Sequence, residues 1–412
     1  MPADAGVDAP VDAPAADAPP VASPPVEEPD TDADKKDKKH KHKHEDAEPT
    51  GETPSEEHDV ANGDLVESDD IGGVSEGPVN LRFLLQPRYV QTFVHSGLDT
   101  ATVLDPRLDD GWAINRAFLR VTASPKPWLE AKVLADFAEL QHRNPKRALK
   151  LAYAELKPDK RVSIYVGLFK RTFSLLELLP IADFELANSG PTDTLIKDAE
   201  LGGRDTGAMV HWAPLQKKKW LGLYLAAYSG NVTGANARPW GLVTGRITSE
   251  PIKHLTLAID GAYRQYPEVT TPGVPASPGK GRAISADATW HRKRYEIRGE
   301  WLWGTRSDED NAGLAKTWMA AWGIAAVRFP VDEVVLMPAA RFEWLDADLE
   351  HDIGRRYYIS GGLNVMNRTD SVRVLLDVTR SQVQRGSFPL SVAPVLLDAS
   401  STIIVAQAQI KI

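Results

Sequence analysis

Arg294-Tyr295-Glu296-Ile297-Arg298-Gly299-Glu300-Trp301-Leu302-Trp303 is the stretch whose reading decides the fold. Successive side chains of a β-strand point to opposite faces. As a strand, this stretch puts Tyr295, Ile297, Trp301 and Trp303 on one side and Arg294, Glu296, Arg298 and Glu300 on the other. Large apolar groups on one face and full charges on the other suit a strand between lipid and water. A soluble sandwich or propeller strand also alternates, but it has no reason to repeat this contrast along the whole chain.

The contrast does repeat. Near the start, Leu81, Phe83, Leu85 and Tyr89 alternate with Arg82, Gln86 and Arg88. Further on, Leu129, Ala131, Val133, Ala135 and Phe137 alternate with Glu130, Lys132 and Asp136. Strands are expected near 79–95, 113–124, 128–140, 147–157, 161–170, 203–213, 220–230 and 240–249. Others are expected near 254–266, 282–291, 294–304, 317–329, 334–346, 355–366, 371–381 and 400–412. That is about 16 strands, the even number expected of a single-chain bacterial barrel. Every second connector is a short run of turn formers, such as Ser124-Pro125-Lys126-Pro127, Pro158-Asp159-Lys160, Glu250-Pro251-Ile252-Lys253, Pro330-Val331-Asp332-Glu333 and Asn367-Arg368-Thr369-Asp370. The intervening connectors, among them 97–112, 267–281, 305–316 and 382–399, are longer. Short turns at one end and long loops at the other are the asymmetry of an outer-membrane barrel, and both termini then fall at the short-turn end.

Composition agrees with this reading. The chain has 412 residues with 42 % hydrophobic residues and a mean hydropathy of −0.31. A barrel hides in such an average, because only alternate residues meet lipid. No apolar run is long enough for a spanning helix. The 11 Trp and 10 Tyr suit interfacial aromatic girdles. There is no cysteine, hence no disulfide or thiolate metal site.

The net charge of −9 divides unevenly. Residues 1–78 hold 22 Asp/Glu and 6 Lys/Arg, and residues 79–412 hold 35 acids and 42 bases. The first segment is rich in Ala, Pro, Asp and Glu and cannot bury enough apolar surface to offset its ordering entropy, so it is expected to be a disordered extension. Within it, His40, His42 and His44 alternate with lysines. They could form a weak metal tether, but the flanking lysines repel a cation, and a solvated linker is the expectation. Met1-Pro2-Ala3-Asp4 lacks the basic and apolar regions of a signal peptide, so the start is read as misplaced or trimmed.

Four segments carry a family resemblance. Val162-Ser163-Ile164-Tyr165-Val166-Gly167-Leu168-Phe169-Lys170-Arg171-Thr172-Phe173-Ser174, Gly203-Arg204-Asp205-Thr206-Gly207-Ala208-Met209, Tyr224-Leu225-Ala226-Ala227-Tyr228-Ser229-Gly230-Asn231 and Pro338-Ala339-Ala340-Arg341-Phe342-Glu343-Trp344-Leu345-Asp346 resemble, in order, segments of the phosphate-selective porin O/P family. Thr172 stands where the family has Pro, Ser229 where it has Asn, and Ile412 where outer-membrane barrels commonly end in an aromatic residue. The resemblance implies a 16-stranded, usually trimeric porin passing anions across the outer membrane of a Gram-negative bacterium. The acidic extension would then lie in the periplasm, with lipid and small anionic solutes as partners. No cofactor and no nucleic acid are expected.

The inward register offers Arg82, Arg88, Arg116, Arg120, Lys132, Arg246, Arg264, Arg294, Arg298, Arg341, Arg356 and Arg373 as pore-lining cations. Glu130, Asp136, Glu155, Asp260, Asp287, Glu296, Glu300, Glu343 and Asp377 are the opposing acids. Guanidinium groups offer planar, bidentate donors to oxyanions, and rings of Arg or Lys select anions. For any single one of these arginines, a lumenal salt bridge that stiffens the wall is the expected role, ahead of that of an anion ligand. The connector at 171–202 is expected to fold inward as a constriction loop, with Leu175, Leu176, Leu178, Leu179 and Phe184 for packing and Arg171, Asp183, Glu185 and Lys197 as its charged groups. An enzyme is not expected, because His95, His142, His211, His254, His291 and His351 are scattered and none sits in a nucleophile motif. The alternative function is a non-conducting structural or adhesive barrel, plugged or tethered by its tail.

Overall fold

The computed structural model describes residues 73–76, 78–96, 110–141, 147–214, 220–229, 241–266, 279–307, 315–350, 355–389 and 394–412. The expectations for residues 1–72, including His40, His42 and His44, lie outside the described residues. The chain forms a closed antiparallel barrel of 16 strands. In order these are β1 (Val79–Ser96), β2 (Gly111–Lys126), β3 (Leu129–Asp136), β4 (Leu149–Asp159), β5 (Val162–Lys170), β6 (Arg204–Trp212), β7 (Gly222–Tyr228) and β8 (Leu242–Ile252). They continue as β9 (Leu255–Gln265), β10 (Lys280–Arg292), β11 (Tyr295–Ser307), β12 (Ala315–Val327), β13 (Val334–Asp346), β14 (Arg355–Asn367), β15 (Val372–Pro389) and β16 (Pro394–Lys411).

Each strand pairs with its sequence neighbours, and β16 closes on β1 through pairs such as Gln407↔Arg88 and Ile410↔Leu85. Ile412 completes the seam: its N–H donates to Phe83 O at 3.0 Å, and its carbonyl accepts from Phe83 N at 2.9 Å. Closure removes the edge strands that would otherwise leave unpaired backbone in hydrocarbon. Gly73–Glu76 adds a short partner to the start of β1.

The side-chain distribution inverts that of a soluble protein. Leu225, Ile259, Ile297, Phe342 and Ile359 are more than half exposed on the outer face. Arg246, Asp260, Arg264, Glu300, Glu343 and Asp377 are almost wholly buried inside. A continuous apolar exterior of this kind is stable only against lipid or a partner.

The tight turns are tighter than the sequence suggests. Ser124–Lys126, Pro158–Asp159 and Glu250–Ile252 still belong to strands, and the turns themselves are Pro127–Trp128, Lys160–Arg161 and Lys253–His254. Two more turn at Lys293–Arg294 and Asp332–Glu333. Arg294 is therefore an exposed turn residue rather than a lumenal one. Asp332 and Asp370 adopt φ of 49° and 52°, a left-handed conformation that Asp tolerates through its short polar side chain.

At the other end, the expected loop at 382–399 is mostly strand, because β15 runs to Pro389 and β16 starts at Pro394. The third expected strand is shorter than anticipated and ends at Asp136, followed by a helical turn at Ala138–Gln141.

The connection between β5 and β6 holds two short helices, α1 (Leu175–Leu178) and α2 (Pro191–Asp198), with a 3-10 turn at Ile181–Asp183 between them. Phe173, Leu175, Leu176, Leu178, Leu179, Leu186 and Ile196 are buried in one cluster with Phe169, Tyr228, Leu242, Trp318, Trp322 and Leu345 of the inner wall. The main apolar core of the protein thus lies inside the barrel, between this connection and the wall.

Candidate functional site

The inner wall carries charges that are largely matched. Arg246 on β8 donates to Asp260 on β9 at 2.7 Å and to Asp287 on β10 at 2.7 Å. Asp260, Asp287 and Glu300 bring carboxylate oxygens within 4.8 Å of one another. These oxygens are already engaged by Arg246, by Ser285 Oγ, by the N–H groups of Ser174 and Leu175, and by Trp322 Nε1. The arrangement is therefore an anchor in which one guanidinium bridges two of the three carboxylates and the third serves the connection.

That anchor holds α1. Glu300 accepts from Leu175 N at 3.0 Å and Leu176 N at 3.4 Å, and from Ser174 Oγ at 2.9 Å. The first amides of a helix lack internal partners, so this carboxylate acts as an N-cap supplied by the wall against which the helix packs. Ser174 itself is in the left-handed region at φ 74°, and its hydrogen bonds to Asp260 and Glu300 hold it there. Glu343 on β13 repeats the device at α2 by accepting from Thr192 N at 2.8 Å. The preceding Gly190 sits at φ 86° so close to Glu343 that a Cβ would lie 2.0 Å from Oε2. Only glycine fits that approach.

Wall donors from β9 to β16 grip the rest of the connection. Tyr266 OH, just past β9, donates to Ala199 O at 2.9 Å, and Arg306 to Asp198 O at 2.6 Å. Arg341 donates to Asn188 O at 2.6 Å, Asn364 to Glu185 O at 2.8 Å, and Gln409 to Ala182 O at 3.2 Å. Arg298 pairs with the Glu185 carboxylate at 2.9 Å. Burial pushes the Glu185 carboxyl up to about 6, with Glu296 adding to the rise and Arg298 opposing it. Asp193 is buried too, but the ammonium of Lys197 at 2.7 Å and the Ser189 hydroxyl outweigh burial and hold its carboxyl well below the usual range.

The connection is thus fastened to the β9–β16 wall, and an open space remains between it and the opposite wall. Asn115, Arg116 and Phe118 of β2, Asp136 of β3, Lys150 of β4, Lys170 of β5 and Arg204 of β6 form one side. Glu177, Ser189, Asp193 and Lys197 of the connection face them, with Arg373, Gln407 and Gln409 at the flank. Six lining residues are cationic (Arg116, Lys150, Lys170, Lys197, Arg204, Arg373) and three are acidic (Asp136, Glu177, Asp193). The acids are held: Asp136 lies 3.6 Å from Lys150, and Lys197 spans Asp193 and Glu177 at 2.7 and 3.5 Å. The balance at the surface of this space is positive.

Of the residues expected to line a pore, Arg116, Arg373 and Lys197 border this space. Arg116 also donates to Gln86 Oε1 at 2.9 Å, and Arg373 to Phe184 O at 3.1 Å. Arg88 and Arg120 are buried on the inner face of β1 and β2 but do not border it. Arg82 bonds Asn80, and Lys132 pairs with Glu130 at 2.9 Å. Arg246, Arg264, Arg298 and Arg341 grip wall acids or the connection: Arg264 pairs with Glu200, and Arg341 with Asn188 O. Arg171 joins the ends of the connection by bonding Asp205 at 2.9 Å, Glu200 O at 2.8 Å and Gly202 O at 2.7 Å. Asp183 faces Lys411 at 3.9 Å.

Lys150, Lys170 and Arg204 are lining residues that the sequence reading misses. Strict alternation from buried Leu151, Phe169 and Asp205 turns all three toward lipid. At Lys150 the reason for the failure is visible. The β3–β4 ladder slips between Leu134↔Leu151 and Ala135↔Leu149, a bulge that re-aims the intervening residue. Lys170 and Arg204 sit at strand ends, where the alternation stops being enforced.

No family model matches this chain, and no curated protein matches it. Solved structures do. An anion-selective porin from Comamonas acidovorans superposes with a TM-score of 0.55 at 12 % identity, over 81 % of this chain and 99 % of that one. OmpF of Salmonella typhi, solved in complex with daunomycin, gives 0.53 at 11 % identity over 82 % and 99 %. The outer membrane channel DcaP of Acinetobacter baumannii gives 0.53 at 10 % identity over 83 % and 100 %. The likeness is one of fold. It includes nearly the whole of each of those porins and channels and 81–83 % of this chain.

Proposed function

We propose that this chain is an outer-membrane porin, a passive channel for small solutes that favours anions. The observation that carries the reading is the inversion of the barrel: an apolar exterior around a lumen lined by charged side chains. The likeness of fold to porins supports it. In this reading the Arg171–Gly203 connection is the constriction, and solutes pass between it and β2–β6. The excess of cationic over acidic lining residues supports anion preference. Phosphate or polyphosphate as the favoured solute rests on the family resemblance of the segments around 162–174, 203–209, 224–231 and 338–346. The exposed apolar wall suits outer-membrane lipid and, over part of its girth, two further copies in a homotrimer. Both ends of the barrel chain lie at the short-turn end, which supports a periplasmic side for the acidic extension.

A second reading has its own support. The continuous apolar cluster between connection and wall would also suit a barrel that does not conduct. Swelling of proteoliposomes separates the two. In isosmotic arabinose, a porin admits the sugar and the vesicles swell. Absence of swelling with folded, inserted protein would favour the closed barrel.

A further inference from the structure

We propose that one arc of the short-turn rim, from the β2–β3 turn to the β10–β11 turn, binds the headgroups of anionic phospholipid, taking phosphatidylglycerol in preference to zwitterionic lipid. The proposal rests on the membrane placement of the barrel given above and not on conduction.

Charge is spread unevenly around this rim. The β4–β5 turn exposes Lys160 and Arg161, and the β10–β11 turn exposes Arg292, Lys293 and Arg294. Lys126 at the β2–β3 turn and Lys253 at the β8–β9 turn are exposed as well. Among the described residues no carboxylate forms a salt bridge with any of these cations. Lys157 beside them is held by Glu155 at 3.3 Å. The acids of the same turns serve their own backbone: Asp159 accepts from Arg161 N at 2.8 Å, and Glu250 from His254 N at 2.9 Å. On the other arc the charges are matched within the protein. Arg328 lies 3.9 Å from Glu296, and Arg368 lies 4.0 Å from Glu333 and donates to Asp332 O at 2.8 Å. Asp370 takes Arg373 at 2.7 Å and Lys411 at 2.9 Å.

The aromatic residues divide in the same way. Trp128, Trp220 and Tyr295 are more than half exposed at the turn end of the basic arc, and Trp212 nearly so. Trp290 stacks on Tyr295 across the β10–β11 turn, with ring centroids 6.4 Å apart. No Trp or Tyr occurs in 324–337, 363–376 or 405–412, which form the turn end of the other arc. The exposed ring there is that of Phe329, which has no polar handle.

Trp and Tyr settle at headgroup level, with the ring against acyl chains and the N–H or O–H toward water. Cations in the turns beside that level meet lipid phosphates, their stems lying along apolar surface while the charge reaches out. A basic patch next to a spanning segment attracts anionic headgroups. The phosphate of phosphatidylglycerol has no amine of its own to neutralise it, whereas a zwitterionic headgroup does. Neighbouring turns are two strands, roughly 10 Å, apart, so each meets a different headgroup and the arc takes a row of lipids rather than one compact ligand. In the porin reading this row belongs to the inner leaflet of the outer membrane.

The test uses full-length protein in phosphatidylcholine vesicles that contain phosphatidylglycerol or phosphatidylcholine with a doxyl group near the headgroup. Quenching of Trp fluorescence gives the relative association of the two lipids with the barrel. Phosphatidylglycerol should be preferred by roughly threefold or more at low salt, and the ratio should fall toward one at about 0.5 M KCl. The combined variant Lys160→Gln, Arg161→Gln, Arg292→Gln and Arg294→Gln should lose most of the preference. Arg368→Gln, on the other arc, should keep it. Equal quenching by the two lipids in wild type, or a preference that the combined variant retains, overturns the proposal. Equal quenching together with Lys160 and Lys293 resisting acetylation in detergent gives the arc to a second copy of the chain instead. Quenching by neither lipid would show that the barrel lies outside the bilayer, and would overturn its membrane placement along with the proposal.

Discussion

Replacing Glu300 with alanine should release α1 from the wall. In the native structure its carboxylate serves Ser174 Oγ at 2.9 Å, Leu175 N at 3.0 Å, Leu176 N at 3.4 Å and Trp322 Nε1 at 2.9 Å. Leu176 N keeps a partner in Ser174 Oγ at 3.2 Å, so three donors lose their acceptor. Each buried orphan costs roughly 1–3 kcal/mol. Entry of water and relief of repulsion with Asp260 and Asp287 return part of that. A net weakening of loop docking by about 3 kcal/mol follows, which multiplies the undocked population by roughly 100-fold. The assay is limited chymotrypsin digestion of detergent-folded protein, with cuts in the Arg171–Gly203 connection mapped by mass spectrometry. When the loop closes faster than it is cut, the rate tracks that population. Cleavage there should accelerate on the order of 100-fold while the rest of the barrel stays resistant. An unchanged rate in a correctly folded variant would refute the capping role of Glu300.

Other consequences follow from the same geometry. Gly190→Ala places a Cβ 2.0 Å from Glu343 Oε2 at φ 86°, so it should weaken α2 docking by about 2–4 kcal/mol through strain and loss of the Thr192 bond. The readout is hydrogen exchange at residues 191–198, where unchanged protection counts against it. Arg246→Ala leaves Asp260 and Asp287 buried without their cation and should lower the stability of the folded barrel by about 3–5 kcal/mol in urea titration. An unshifted midpoint would show that the pair is not neutralised by Arg246. Glu185 gives a pH dependence. Its native carboxyl, raised to about 6, binds the proton more tightly than when undocked. Docking is therefore strongest below about pH 4.5 and weakens as pH rises through 6, by about 2 kcal/mol at most. Slower chymotrypsin cleavage of folded wild type at pH 7.5 than at pH 5, after correction for the protease's own profile, would contradict that sign.

The barrel was legible because its rule is local. Period-two alternation places Glu296, Arg298 and Glu300 inside and Tyr295, Ile297 and Trp301 outside, and the structure keeps that register. The rule fails where the alternation ends or slips. Lys150 is re-aimed by a bulge that no local composition announces. In the β15–β16 hairpin, Ser381-Gln382-Val383-Gln384-Arg385-Gly386-Ser387 is mostly polar and reads as a loop, although the ladder resumes beyond a register shift between Val383 and Gly386. A strand that has passed beyond the apolar band no longer needs an apolar face. Partner choice was also hidden. That the cation of Arg246 serves Asp260 and Asp287, and that Glu300 caps a helix 125 residues earlier in the chain, are consequences of closure and loop docking. The sequence offers Leu175, Leu176, Leu178 and Leu179 as packing groups but not the wall they pack against.

The central claim is that the lumen conducts and that its positive lining sets the ion preference. The most direct test is the reversal potential of single channels across a tenfold KCl gradient in a planar bilayer. Discrete conductance steps are expected, with a reversal potential on the anion side of zero that shifts toward zero as ionic strength screens the lining. A reversal potential on the cation side, or folded and inserted protein that passes no current, would contradict it.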